Sequence, residues 1–378
     1  MSPLPPPSSL ALAHSQQLTA FINDEIRATG AWLSFARFME LALYAPGLGY
    51  YSAGLEKFGE GGDFVTAPEI SPLFGRTLAR QIAEILAETG GDILELGAGS
   101  GKLAATLLLE LEQVGCLPEH YFILEVSAGL QQRQKAQHLP SHLAQKLVWL
   151  DALPASFNGV ILGNEVLDAL PVHLVFQGEG QLFERGVTVE NGQLVWQDKP
   201  LIAGALFEAA RALNLPPQYL TEINLAASGL VSSLADCLQH GLMLWLDYGF
   251  PRSEYSHPQR DAGTLMCHYR HHAHADPLIN LGLQDITAHV DFSAVAKSSD
   301  LELLGYTTQA QFLINCGITD LLAETSPEDV AAYMPQVAAV QKLLSPAEMG
   351  ELFKVIALGK NINMPLMGFA QGDKRYTL

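Results

Sequence analysis

The chain has 378 residues, of which 48% are hydrophobic and 16% are charged, a composition typical of folded globular proteins and unlike disordered or collagen-like chains. It contains 21 lysines and arginines and 40 aspartates and glutamates, which give a net charge of −19. Such a surface repels phosphate backbones and anionic lipid on average, which argues against nucleic acid as the main partner. At about 150 residues per domain, the length predicts one large domain with insertions or two domains.

The cysteines are widely spaced and form no C-x-x-C pair, so we expect neither a disulfide framework nor a zinc ribbon. They are Cys116, Cys237, Cys267 and Cys316. No apolar run reaches the roughly 18 residues that a membrane span needs. The first basic residue is Arg27, so a secretory or transit signal is not expected either. These features predict a cytoplasmic protein without a membrane span.

The first 89 residues are predicted to form a tail and a cap. Prolines dominate the start, and residues 1–14 are predicted to be a disordered tail. Residues 15–89 are predicted to be a helical and loop cap, with helical spacing from Leu18 and again over residues 35–43. A glycine-rich loop over residues 45–62 holds Tyr50 and Tyr51. Ser71 before Pro72 indicates a helix start, because serine caps and proline tolerates the first helical position.

Residues 90–378 are predicted to form an α/β domain. Short apolar strands alternate with helices, which is typical of a parallel sheet covered by helices on both faces. The predicted strands are residues 92–96, 121–126, 147–150, 160–163, 242–246 and 354–358, and the predicted helices are residues 102–114 and 128–138.

Two insertions interrupt this domain, at about residues 171–230 and 250–345. The first begins with an alternating segment over residues 172–196, in which Asn191 and Gly192 predict a hairpin turn. Near the end of the second, Ser345 and Glu348 flank Pro346 in a capping-box pattern. That pattern predicts a helix beginning there.

A glycine motif follows the first strand, from Ile93 to Gly101. Glycines let backbone N–H groups approach a ligand closely. A P-loop is excluded because Leu96 stands where its first glycine should be, and Leu103 where its Ser or Thr should be. The dinucleotide fingerprint is weakened because Lys102 stands where it needs Gly or Ala. An incidental glycine-rich turn stays an alternative.

The remaining pattern, an acidic residue followed by three alternating glycines, resembles the first motif of class I S-adenosylmethionine (SAM) methyltransferases. The resemblance implies that the loop underlies the methionine part of SAM, that Glu125 binds both ribose hydroxyls and that Asp151 lies near the adenine. The implied cofactor residues are Glu95, Gly97, Ala98, Gly99, Gly101, Glu125, Asp151 and Asn164.

Longer motifs make the resemblance specific to one family of these methyltransferases. They are residues 62–75, 162–173, 246–249 and 285–292, and together they are similar to the MidA family of SAM-dependent methyltransferases, whose mitochondrial members assist assembly of respiratory complex I. The match extends over about residues 15–360. It implies a Rossmann-like class I methyltransferase sheet with an N-terminal helical cap, and arginine methylation of a protein. In the mitochondrial members the implied substrate is a complex I subunit. Without a transit peptide the chain resembles a bacterial member, whose substrate does not follow automatically.

Glu165 and Asp168 are the predicted catalytic pair. An arginine guanidinium is protonated at neutral pH and lacks a good lone pair, so carboxylates can orient it and accept the proton released on methylation. The two acids stand three residues apart beyond the fourth strand, where we expect the chain to turn helical and place them on one face. The alternative is that Asp168 caps a helical turn and Glu165 forms a surface ion pair.

The substrate cleft is predicted to include Glu69, Tyr248, Tyr269 and His271. Four histidines between His268 and His274 could ligate a metal, but no zinc-like cysteine pair or H-E-x-x-H helix accompanies them, so no metal is expected. Tyr50 and Tyr51 either line the SAM pocket or pack on the first helices, and packing is favoured.

Three functions remain open from the sequence. The leading one is a SAM-dependent methyltransferase acting on a protein. The others are a small-molecule methyltransferase on the same fold, and an assembly chaperone that binds SAM without turnover. The oligomeric state is not predicted.

Overall fold

A computed structural model describes residues 4–53 and 65–378. The helices are α1 (Ser9–Ala28), α2 (Phe35–Tyr44), α3 (Ala67–Ile70), α4 (Pro72–Thr89), α5 (Lys102–Gln113), α6 (Ala128–Lys135), α7 (Ser141–Ala144), α8 (Ala205–Leu213), α9 (Leu225–Cys237), α10 (Arg252–Tyr255), α11 (Phe292–Ala296), α12 (Gln309–Asn315), α13 (Ile318–Ala323) and α14 (Val330–Leu344). The strands are β1 (Leu33–Ser34), β2 (Asp92–Leu96), β3 (Tyr121–Leu124), β4 (Leu147–Leu150), β5 (Phe157–Asn164), β6 (His173–Gln177), β7 (Leu182–Glu190), β8 (Gln193–Pro200), β9 (Tyr219–Ile223), β10 (Leu238–Phe250), β11 (Met266–Tyr269), β12 (His272–His274), β13 (Asp285–Thr287), β14 (Val290–Asp291), β15 (Glu302–Thr308) and β16 (Phe353–Lys360).

The chain divides into two compact units. One, the cap unit, contains residues 1–64, 168–229 and 252–290, and the other, the sheet unit, contains residues 65–167, 230–251 and 291–378. The division differs from the predicted boundaries in three places. Residues 65–89 belong with the sheet rather than with the cap. Residues 168–229 and 252–290, predicted to be insertions of the domain 90–378, belong with the cap, whereas residues 291–345 of the second predicted insertion belong with the sheet.

The sheet unit is built on a twisted sheet with the strand order β15-β16-β10-β5-β2-β3-β4. Strands β10, β5, β2, β3 and β4 pair in parallel, whereas β16 and β15 join antiparallel at one edge. The inner strands are buried along most of their length, which is typical of a sheet covered on both faces. The structure therefore confirms the predicted α/β sheet.

Helix α4 shows why the chain turns where it does. Ser71 caps its start by accepting a hydrogen bond from the N–H of Leu73 at 3.1 Å, and Pro72 occupies its first turn. Gly90 ends it in the left-handed conformation, with φ +57°, as helix ends require. Its buried face joins the core of the sheet unit.

The cap unit holds an antiparallel sheet with the strand order β1-β7-β6-β9, to which β8 adds beside β7. Asn191 and Gly192 connect β7 to β8 with φ +52° and +79°, so the predicted hairpin turn is confirmed. Helices α1 and α2 pack with this sheet around a separate apolar core that includes Tyr50. Tyr51 donates a hydrogen bond from its hydroxyl to Asp285 at 2.9 Å.

Two local predictions are wrong. Helix α1 begins at Ser9, inside the segment predicted to be a tail, because Ser8 caps it by accepting a hydrogen bond from the N–H of Ala11 at 3.3 Å. No helix begins at Ser345, which instead ends α14. Within the described residues, no helix is long and apolar enough to cross a membrane.

Candidate active site

The glycine loop joins β2 to α5 at the carboxyl edge of the sheet. Gly97, Gly99 and Gly101 all have positive φ, at +61°, +52° and +84°, a region that other residues enter at a cost. A Cβ added at Gly99 would meet nothing within 4 Å, whereas one at Gly101 would lie 3.1 Å from the Cα of Gln134. Ala98, between Gly97 and Gly99, is buried. The loop thus leaves open space at Gly99 and is closely packed at Gly101.

Glu95 lies under this loop, near the end of β2, and is 3% exposed. The hydroxyl of Tyr121 donates to its Oε2 at 2.7 Å. Burial raises the pKa of Glu95 to about 7; the Tyr121 hydrogen bond opposes this rise and the charge of Glu125 adds to it. A buried carboxyl group that titrates near neutrality is typical of functional sites.

Glu125 follows β3, the neighbouring strand. Its Oε1 accepts a hydrogen bond from the N–H of Ser127 at 2.9 Å, and its Oε2 accepts one from the side-chain amide of Gln134 at 3.0 Å. Ser127 in turn caps α6, with its hydroxyl 3.4 Å from the nitrogen of Leu130. The carboxylate is therefore held in place by the residue that caps α6 and by a side chain in the last turn of the same helix.

Two further predicted cofactor residues lie at the ends of two other strands of the same sheet. Asp151 comes directly after β4 and is exposed. Asn164 is the last residue of β5. Because parallel strands end at the same edge, all the predicted cofactor residues belong to the carboxyl edge, where open α/β sheets bind ligands.

Glu165 follows Asn164 in an unusual backbone conformation, with φ +54°. Its N–H donates to the carbonyl of Leu246 at 2.9 Å, and its Oε1 accepts from the Asn164 amide at 3.3 Å. Asp247, 1% exposed, accepts hydrogen bonds at Oδ2 from the N–H groups of residues 166 and 167 at 3.1 and 2.9 Å. Such over-determined, sparsely populated backbone is typical of functional sites.

Asp168 belongs to the cap unit, so the predicted pair is divided between the two units. Residues 165–170 form bends and turns rather than a helix, and the argument that helical spacing places Glu165 and Asp168 on one face is therefore wrong. Asp168 is 5% exposed, and its carbonyl accepts a hydrogen bond from the N–H of Ala288 at 3.0 Å. Its catalytic role stays a prediction.

The predicted substrate-cleft residues are also divided. Glu69, on α3, binds the hydroxyl of Ser100 and the ammonium of Lys102, so it contacts the glycine loop. Tyr248 lies near the carboxyl end of β10, half-buried, with its ring edge-on to Phe353 at 5.4 Å between centroids. Both belong to the sheet unit.

Tyr269 and His271 belong to the cap unit. Tyr269 is buried at the end of β11, and His271 is exposed in the turn to β12, with φ +63°. The histidine segment thus forms a short hairpin. In the part of the chain that the structure describes, no three His, Cys, Asp or Glu side chains group as metal ligands.

Residues 77–307, more than half of the chain, match a family of S-adenosyl-L-methionine-dependent methyltransferases. The chain belongs to this family. A crystal structure of a COG1565 superfamily member from Burkholderia thailandensis, bound to S-adenosyl-homocysteine, is 48% identical and covers 100% of both chains with a TM-score of 0.95.

More distant relatives carry a specific name. The protein arginine methyltransferase NDUFAF7 of Danio rerio is 29% identical over 94% of this chain and 93% of its own. The human protein of that name is 28% identical over 88% of this chain and 81% of its own. The predicted similarity to the MidA family is confirmed by these relatives and by the family match.

The residues of this methyltransferase fit SAM as its cofactor. Ribose hydroxyls need an acceptor, which the Glu125 carboxylate provides. A ligand lying close to the backbone needs open space, which Gly99 provides. Asp247 and Gln134 were not among the predicted site residues. Asp247 continues the apolar run of β10, and that signal could have found it. Helix α6 is polar along most of its length, so no apolar pattern marks Gln134 as buried.

Proposed function

We propose that this methyltransferase methylates arginine side chains of a protein. The observation that carries the proposal is Glu165, a carboxylate placed at the carboxyl end of β5, one residue beyond Asn164 of the cofactor edge. Its left-handed backbone is fixed by the bond to Leu246 and by Asp247 behind the next two residues. The name of the distant relatives supports the same substrate class.

The chemistry of arginine explains why a carboxylate is needed. Bound SAM supplies an electrophilic methyl group on a sulfonium. A guanidinium attacks poorly because its nitrogen lone pairs are delocalised and it carries a proton at each nitrogen. Glu165 can orient two N–H groups bidentately and take the proton that leaves the nitrogen as the N–CH₃ bond forms and the S–CH₃ bond breaks.

The test is methyl transfer with Glu165→Gln. Gln keeps the volume and the acceptor oxygen but removes the charge, so we expect folding and SAM affinity to stay within about threefold of the unchanged protein. Turnover should fall by about 10² to 10⁴, the span of a positioned acid or base. The assay measures labelled methyl from SAM incorporated into proteins of an extract that lacks this protein, followed by mass spectrometry of the labelled residue.

Glu119→Gln is the matched control, because Glu119 is exposed just before β3 and the substitution removes the same charge. Unchanged turnover in Glu165→Gln would remove the carboxylate from the mechanism. Label on a residue other than arginine, or on a small molecule, would overturn the substrate class while leaving the cofactor intact.

The client is the finer part of the proposal. The family resemblance makes a subunit of respiratory complex I the first protein to test as a purified client. A cytoplasmic location likewise stays a prediction, to be measured by fractionation of cells that express the tagged chain.

A further inference from the structure

Gln134 is a polar residue on the buried face of α6, and it is 2% exposed. Its Nε2 donates to the carbonyl of Gly99 at 3.1 Å and to Oε2 of Glu125 at 3.0 Å. Its Oε1 accepts from the indole N–H of Trp149 at 2.8 Å. One side chain therefore binds the glycine loop after β2, the carboxylate after β3 and an aromatic ring on β4.

The chemistry of these partners selects a primary amide. Two acceptors lie on one side and a donor lies on the other, and an amide offers two N–H donors and a carbonyl acceptor. A carboxylate of the same size has no donor for Gly99 or Glu125. Gln137, two residues beyond the end of α6, makes a similar contact, because its Nε2 donates to the carbonyl of Ser100 at 2.7 Å.

We propose that Gln134 is a positioning residue for the cofactor, acting through the Glu125 carboxylate and the Gly99 carbonyl. It fixes the orientation of the group assigned to the ribose hydroxyls and holds the glycine loop at a constant distance from it. The inference requires SAM as the ligand and does not depend on arginine as the substrate, so a failed methylation assay leaves it standing.

Gln134→Glu tests the proposal by turning one donor into a second carboxylate beside Glu125. When both are ionised they repel each other, whereas a proton on the introduced carboxyl group restores a donor, and two carboxylates in one site raise the pKa of one of them. We expect SAM affinity, measured by calorimetry, to fall about 10- to 100-fold at pH 8. At pH 5.5 the deficit relative to the unchanged protein should shrink to about threefold.

Other charged groups near this site titrate or carry charge in every variant. Glu95, on β2, has a pKa of about 7 and interacts with the charge of Glu125; Tyr121, on β3, donates to Glu95; and Lys135, on α6, lies over the Trp149 ring at 4.9 Å. Affinities are therefore compared as ratios to the unchanged protein at the same pH. Gln132→Glu is the control, because it adds the same charge at an exposed position of the same helix.

Measurements at the two pH values distinguish a positioning role from damaged packing. Loss at pH 8 that recovers at pH 5.5, with Gln132→Glu unchanged at both, supports the positioning role. Unchanged affinity at pH 8, or an equal loss at both pH values, overturns it, since damaged packing does not depend on this proton. If Gln134→Glu does not fold, Gln134→Met keeps the volume without the hydrogen bonds. It should bind SAM about 10-fold more weakly at both pH values, and full affinity in that variant would overturn the proposal.

Discussion

Two buried carboxylates, one in each unit, differ in the number of hydrogen bonds that they accept. Glu95 in the sheet unit is 3% exposed and Glu222 in the cap unit is 4% exposed. Glu222 accepts hydrogen bonds from the hydroxyl of Tyr255 at 3.1 Å, from the N–H and hydroxyl of Thr264 at 2.8 and 3.1 Å, and from the N–H of Leu265 at 3.0 Å. In the described part of the chain, the hydrogen-bond donor to Glu95 is Tyr121.

The difference separates a structural carboxylate from one at a functional edge. Burial raises the pKa of Glu222 as well, but its backbone and hydroxyl donors oppose the rise, and it fastens β9 to the segment around Thr264. Glu95, with the Tyr121 hydroxyl against it, reaches a pKa of about 7 beneath the glycine loop. A buried carboxylate that accepts several hydrogen bonds stabilises the fold. One that accepts few is destabilised in its ionised form, which is typical of functional sites.

The largest effect is expected at Gly99, in comparison with Gly192, which also has a positive φ. Gly99→Val should reduce SAM affinity by more than about 100-fold, because a branched side chain at φ +52° strains the loop and fills the open space there. Gly192→Val is the control, since Gly192 also has positive φ and open space but lies in the cap-unit hairpin. It should lower stability while leaving SAM affinity unchanged. Calorimetry on both folded variants decides, and equal affinities would refute the assignment of the loop.

Glu222→Gln should destabilise the protein by about 2 to 4 kcal/mol at pH 5. The loss should be smaller at pH 8, because the pKa of Glu222 is raised in the folded state and part of its contribution disappears as the pH rises. Oε1 of Glu222 accepts both backbone N–H groups and Oε2 accepts both hydroxyls. The amide nitrogen that replaces Oε2 cannot accept from Tyr255 and Thr264, so these two buried hydroxyls lose their acceptor, which is costly. Denaturant unfolding measures the effect. A loss below about 1 kcal/mol at pH 5 would show that Glu222 does not fasten this segment.

Glu95→Gln should have the opposite sign and a smaller size. A pKa raised from its ordinary value of 4.5 to about 7 means that the folded state binds this proton more tightly. The resulting stability is fully present below pH 4.5 and is lost as the pH rises through 7, about 3 kcal/mol in all. Gln cannot ionise, and its carbonyl still accepts the Tyr121 hydroxyl. We therefore expect the variant to be about 2 kcal/mol more stable at pH 8 and nearly equal at pH 5.

The same unfolding experiment measures that difference. Equal stability of Glu95→Gln and the unchanged protein at pH 8 would show that the buried carboxylate is not strained, and the contrast with Glu222 would fail.

Local signals in the sequence were enough to place the predicted cofactor residues at one edge of the sheet. The glycine loop, Glu125 and Asp151 each follow an apolar strand directly, and parallel strands bring their ends together without further information. The cap of α4 is local as well, since Ser71 and Pro72 are adjacent. These features could be predicted because the physics that produces them acts within a few residues.

What the tertiary structure decided depends on contacts between distant segments. Ser345 carries a helix-start pattern but ends α14, because the helix before it already extends to Leu344. Asp247 positions residues 166 and 167 from about 80 positions away. Gln134 bonds to the loop after β2, to Glu125 after β3 and to Trp149 on β4. Glu222 is fixed by donors from residues 255–265. Hydrogen bonds of this kind form only after the strands are arranged, so no pattern within one segment records them.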